Sequence, residues 1–233
     1  MARTPWLGRS TAGSRLAAAD SVAVIGLGRF GTALALELMA AGTEVLGIDG
    51  DEDIVQSLNG QLTQVVRADS TKEEALRQLG VHEFDRAVVG IGTDIEASIL
   101  TGSLLVNFKV PHVWAKAISE PHGRILDQIG VHHVVYPEHD MGRRVAHLVR
   151  GAMLDYIQFE DDFAMVKTVP PAELVGKRLG DTGMRARHGV TIVAVHRTGE
   201  GFTYATADTV LEEGDTIIVS GRTAAAERFA QLR

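Results

Sequence analysis

From residue 21 onward, apolar residues come in short continuous runs, separated by stretches where they recur every three or four positions. The runs at 21–25, 44–48, 63–67, 86–91, 112–116 and 133–136 are rich in Val, Ile and Ala and predict strands. Helices are predicted between them: 32–41, a polar stretch with Ile54, Val55 and Leu58 on one face, 71–79, 98–108 and 125–128. Gly42, Gly80 and Gly130 are placed to stop three of them. Short β-branched runs alternating with helices imply a parallel sheet with right-handed crossovers. Six such strands predict an α/β fold, a doubly wound Rossmann-type domain over 20–140.

After Pro137 the pattern changes. Val145, Leu148, Val149, Ala152 and Tyr156 stand at helical spacing and predict a long amphipathic helix connecting two domains, over 141–158. The runs at 164–169, 191–196, 201–204 and 216–220, punctuated by glycines and followed by a helical pattern at 223–231, predict a small α+β lobe over 159–233. Phe163, Phe202 and Phe229 are expected in its core. Residues 1–19, rich in Gly, Ser, Ala and Arg without periodicity, read as a flexible tail.

Composition narrows the function. At 45% hydrophobic and 23% charged residues the chain reads as soluble and globular, not disordered. A formal charge of -7 repels phosphate backbones and argues against nucleic acid as a partner. With no cysteine, disulfides, thiolate metal sites and cysteine nucleophiles are excluded. No apolar window is long enough to span a membrane, so a cytoplasmic protein is expected, one that reaches a membrane only through a partner.

The strongest local signal is Gly26-Leu27-Gly28-Arg29-Phe30-Gly31, directly after a predicted strand and opening a predicted helix. Gly26 permits the tight turn, Gly28 lets the backbone approach phosphate oxygens, and Gly31 lets the helix pack close to the sheet. Asp49, at the end of the second strand, stands where a carboxylate accepts hydrogen bonds from a ribose. Gly50-Asp51-Glu52-Asp53 offers no arginine for a 2′-phosphate, so NADP is disfavoured. Arg29 beside the loop suits a terminal phosphate and favours ATP or ADP over NAD; a solvated arginine beside a dinucleotide is the alternative. Asp69 and Ser70, Gly92, and Lys116 follow later strand ends on the same edge and are candidate nucleotide contacts. Asp69-Ser70-Thr71 could equally cap a helix. Glu138 ends the sixth strand, where a carboxylate near bound phosphates calls for a divalent cation between them; a simple helix cap is the alternative.

Together with Gly47-Ile48-Asp49, Ala68-Asp69-Ser70-Thr71, Trp114-Ala115-Lys116-Ala117 and Tyr136-Pro137-Glu138-His139-Asp140-Met141-Gly142, the glycine loop resembles the RCK (KTN) regulatory proteins of bacterial Ktr/Trk potassium-uptake systems, of the KtrA type. Gly176-Lys177-Arg178-Leu179, Arg185-Ala186-Arg187-His188-Gly189-Val190-Thr191-Ile192 and Glu213-Gly214-Asp215-Thr216 extend the resemblance to residues 21–233. It implies a non-enzymatic, cytosolic gating subunit whose dimers assemble into an octameric ring beneath a KtrB- or TrkH-like membrane potassium-translocating subunit. It implies ATP and ADP competing for the N-terminal domain, Arg29 reaching the γ-phosphate across a dimer contact, and Glu138 helping to bind a divalent cation, Mg or Ca. It also implies a C-terminal lobe able to bind cyclic di-AMP, with Arg185, Arg187, His188 and Ile192 in the matching segment. His139 departs from a commoner lysine.

Other constellations carry less. His132 and His133 are neighbours that a strand sends to opposite faces, and His139 and His147 are two helical turns apart, so neither pair makes a ready metal site. The Arg143-Arg144 pair is expected to begin a helix, an unfavourable dipole position. An NAD-dependent oxidoreductase, or an NAD(H)-binding regulator on the same fold, remains the alternative function.

Overall fold

The computed structural model describes residues 20–150 and 153–232. Two compact units divide the chain, one ending at Glu138 and the other starting at His139. The expected tail over 1–19 lies outside the described residues.

In the first unit, strands β1 (Ser21–Ile25), β2 (Glu44–Asp49), β3 (Gln64–Arg67), β4 (Arg86–Val89), β5 (His112–Lys116) and β6 (His133–Val135) form one sheet in the order β3-β2-β1-β4-β5-β6, with every pairing parallel. Helices α1 (Arg29–Ala40), α2 (Glu52–Ser57), α3 (Glu73–Gln78), α4 (Ile95–Asn107) and α5 (Glu120–Gln128) make the crossovers. The predicted doubly wound sheet is therefore present, with its order reversing between β1 and β4. Alternation along β1 feeds two apolar layers: Ala23 and Ile25 join the cluster built around Leu76, Phe84 and Leu105, while Val22 and Val24 join Val45, Leu58 and Leu62 on the other face. Burial on both faces is why these strands read as unbroken apolar runs.

The second unit departs from expectation at its start. Helix α6 spans Pro137–Arg150, and residues Met153–Phe159 form strand β7 instead of continuing the helix. Pro137 occupies the first helical position, where a missing N–H costs nothing, and Glu138 and Asp140 lie in the first turn, favourable to the dipole. Arg143 and Arg144 consequently sit in the second turn, and Arg144 is answered by Asp155 of β7 at 2.6 Å. Of the predicted amphipathic face, Val145 and Val149 are exposed, and Leu148 packs on the cluster of Met153, Tyr156, Val166 and Ala226.

Strands β8 (Phe163–Thr168), β9 (Val190–Arg197), β10 (Gly201–Tyr204) and β11 (Thr216–Arg222) join β7 in an antiparallel sheet ordered β10-β9-β11-β8-β7. Two short helices, α7 (Leu179–Thr182) and α8 (Met184–His188), precede β9, and α9 (Thr223–Ala230) closes the unit with Ala225, Ala226 and Phe229 buried. Only Phe229 of the three phenylalanines is core. Ala164, Val166 and Thr168 take the inner face of β8, which turns Phe163 outward, and Phe202 is exposed on the edge strand β10. No helix among the described residues is long and apolar enough to cross a membrane.

Candidate functional site

The carboxyl ends of β1, β2, β4 and β5 open into a cleft of about 900 Å³ at the point where the strand order reverses. Its floor is the glycine turn. Gly26 has φ +88° and its carbonyl oxygen is wedged between two other glycines: a Cβ on Gly31 would lie 1.9 Å from it, and one on Gly90 2.6 Å. Gly31 therefore works beneath the turn and does not line the cleft. A Cβ on Gly28 would meet nothing within 4 Å, and Gly28 is the N-cap of α1 with no side-chain cap bond. Helices α2, α4 and α5 are capped by Asp51, Asp94 and Ser119, whereas α3, like α1, has no side-chain cap. The first turn of α1 thus keeps orphan N–H groups and the positive end of its dipole for a ligand anion.

Arg29 is exposed at the mouth of this turn, and the half-buried Phe30 ring lies 5.8 Å from Lys116 Nζ. Asp49 locks the turn in place: Leu27 N–H donates to its Oδ2 at 2.6 Å and Asp51 N–H to its Oδ1 at 2.8 Å. Each oxygen retains a lone pair for a ribose hydroxyl. Asp69 does not cap a helix. It accepts from the Thr71 hydroxyl at 2.6 Å and the Thr71 N–H at 3.0 Å, which together hold its carboxyl below the usual range. Ser70 hydrogen-bonds Thr101 in α4 at 2.9 Å and is buried, so it braces the cleft wall.

At the far end, Lys116 Nζ donates to Glu138 Oε1 at 2.5 Å. That bond, with a smaller contribution from the Arg29 charge, keeps the Glu138 carboxyl below the ordinary carboxylate range. Gly92 makes room for the lysine, since a Cβ there would lie 3.3 Å from its Nζ. The parallel register sets Lys116 opposite Val135, so Glu138 arrives beside it three residues later. Among the described residues no group of three or more His, Cys, Asp or Glu could hold a metal ion. The histidines have other partners: His133 stacks on Trp114 at 4.7 Å, His132 Nδ1 accepts from Val113 N–H, and His147 pairs with Glu227 at 2.6 Å.

Arg67 is the cleft residue that sequence reasoning missed. The end of β3 carries it opposite Asp49, where its Nε donates to the Gly50 carbonyl at 3.2 Å and its Nη1 to Glu52 at 2.8 Å. Residues 50–53 hold no arginine, as read from the sequence; strand pairing supplies one from outside that segment.

The segment 185–192 falls in the second unit. Arg185 and Arg187 are exposed on α8, Arg185 donating to Thr191 Oγ1 at 2.9 Å. Glu173 lies 3.8 Å from Arg187 and 3.9 Å from His188. Ile192 is buried in the core with Leu174 and Ile217.

Family models for the TrkA-N domain and the TrkA-C domain match residues 22–137 and 163–232. The chain is 38% identical over 208 residues to Ktr system potassium uptake protein C of Bacillus subtilis, covering 89% of this chain and 94% of that one. Ktr system potassium uptake protein A of the same organism is 34% identical over the same coverage. Among solved structures, the GsuK RCK domain superposes with a TM-score of 0.63 at 19% identity, over 90% of this chain and 47% of that one.

Proposed function

Because this chain belongs to the family of Ktr system potassium uptake proteins A and C, with one TrkA-N and one TrkA-C domain, we propose that it is a non-catalytic regulatory subunit that senses adenine nucleotides and gates potassium uptake. The observation that carries this reading is the first turn of α1, where an uncapped Gly28 and an exposed Arg29 face a cleft large enough for a nucleotide. Phosphates rest on the N–H groups of that turn, Asp49 meets the ribose, and Arg29 meets the terminal phosphate, which ADP lacks. Glu138 would hold a divalent cation carried by the nucleotide, and that cation would supply charge neutralisation for the phosphates. The subunit works in the cytoplasm, on the inner face of the membrane, as a ring of dimers bound to a KtrB- or TrkH-like partner. A difference in affinity between two ring shapes is what such gating requires, since a ligand bound equally in both shifts nothing.

Isothermal titration of ATP and ADP into wild type and Arg29→Ala tests the sensing step. We expect the variant to lose about tenfold in ATP affinity and much less for ADP, the scale of one charge-assisted hydrogen bond. Equal losses would remove Arg29 from the sensing role.

A second reading, an NAD(H)-binding regulator or an NAD-dependent oxidoreductase, makes the same use of Asp49, since dinucleotide folds hold a ribose at that position; titration with NADH under the same conditions separates it from the first. Cyclic di-AMP is proposed as a ligand of the second unit through Arg185, Arg187 and His188, where it must displace Glu173; titration into Arg185→Ala protein checks this. Ile192 would act there by packing from the core.

A further inference from the structure

We infer that Arg67 is the specificity-determining residue at the adenosine end of the cleft, and that Glu52 holds it so that the pocket takes an adenosine with a free 2′-hydroxyl and refuses one carrying a 2′-phosphate. The inference rests on the reading that the cleft binds adenine nucleotides. Parallel pairing of β2 and β3 sets Arg67 opposite Asp49, and both line the cleft. The chain turns acidic from the end of β2 into the first turn of α2, at Asp49, Asp51, Glu52 and Asp53.

These carboxylates are not equivalent. Asp49 is engaged by the N–H groups of Leu27 and Asp51, and Asp51 by those of Asp53 and Ile54. Glu52 is the one that meets Arg67, at 2.8 Å, while the Gly50 carbonyl fixes the guanidinium from its Nε side at 3.2 Å. A guanidinium so placed spends its fork on a neighbour, and a 2′-phosphate arriving there meets the negative charge of Glu52 as well as the positive charge of Arg67. Both partners are about 60% exposed, so the pair is weak and opens when either member is removed. Freed from Glu52, the same fork matches a phosphate in two-point fashion. One side chain thereby separates acceptance of a 2′-phosphate from its refusal, with Asp49 unchanged.

The experiment compares AMP with adenosine 2′,5′-bisphosphate, two probes that differ only by the 2′-phosphate, in competition with ADP on the full chain. Wild type is expected to bind the bisphosphate more weakly than AMP. Glu52→Gln should bind it about tenfold tighter than wild type, the scale of a charge-assisted pair, with AMP affinity within about twofold. The double variant Glu52→Gln with Arg67→Ala should lose that gain. If Glu52→Gln binds AMP normally and leaves the bisphosphate unimproved, the inference falls. It also falls if the double variant keeps the gain, because removal of one negative charge then explains everything. Wild type that binds neither ADP nor AMP overturns the nucleotide reading, and this inference with it.

Discussion

A methyl group on Gly31 would sit 1.9 Å from the Gly26 carbonyl oxygen, a backbone atom that Gly90 confines from another side. No rotamer change relieves such a clash, so the strand-to-helix turn itself has to move. Gly31→Ala should cost about 3 kcal/mol, at the upper end for overpacking. Urea unfolding followed by the fluorescence of Trp114, which lies in β5 of the same sheet, checks this; an unchanged midpoint would show that the turn has slack. At this scale the site was legible wherever its parts are neighbours in sequence. Glycines that follow a strand and open a helix mark the turn, and Asp49 stands at the end of β2 as its run predicts. Arg67 and the Lys116–Glu138 bond were not legible, because each depends on which residues two parallel strands bring side by side. That register is fixed by the whole sheet, and no spacing within either strand reports it.

Among the elements, the turn that leads into β11 is tied to the end of β9 by an ion pair with a buried end. Arg197 donates from Nε and Nη2 to Asp215 at 2.9 Å each, and Asp215, 2% exposed, also accepts from Glu212 N–H. The Arg197 guanidinium, above all, holds the Asp215 carboxyl below its ordinary 3.8. A depressed carboxyl contributes stability that is fully present above the unfolded-state value near pH 4 and is lost as pH falls through the lower folded value. Asp215→Asn should lower the stability of the second unit near neutrality by about 2 kcal/mol and make its acid-side decline shallower. Thermal melts from pH 7 to pH 3 read both effects, and a decline as steep as wild type would assign it to other groups, such as Asp155, whose carboxyl Arg144 holds down. The element that sequence reasoning misread is β7. Its register shifts between Met153 and Asp155, so that Met153 and Tyr156, three apart, are both buried. That irregularity breaks the two-residue alternation of a strand and prolongs the helical spacing begun by Val145 and Leu148.

For the whole molecule, the proposed function requires that ligand identity change the geometry of an assembly. Small-angle scattering from the purified protein should give different curves with ATP and with ADP, each in the presence of Mg²⁺, and Arg29→Ala should bring the two together. Identical curves for wild type would leave a nucleotide holder that gates nothing. The two-domain plan was readable because the periodicities of its halves differ, alternating runs and helices before Pro137 and glycine-punctuated short strands after β7. Assembly is a property of surfaces, and a single chain's hydrophobic pattern speaks mainly of its interior.

The open space over Gly28 has an evolutionary reading. Gly26 and Gly31 are demanded by the packing of the turn itself, whereas a side chain at 28 would offend only what comes to rest there. Descendants that gave up the nucleotide while keeping the scaffold would be free to drift at that middle position and at no other glycine of the turn. Loss of the proposed sensing would be recorded in one codon.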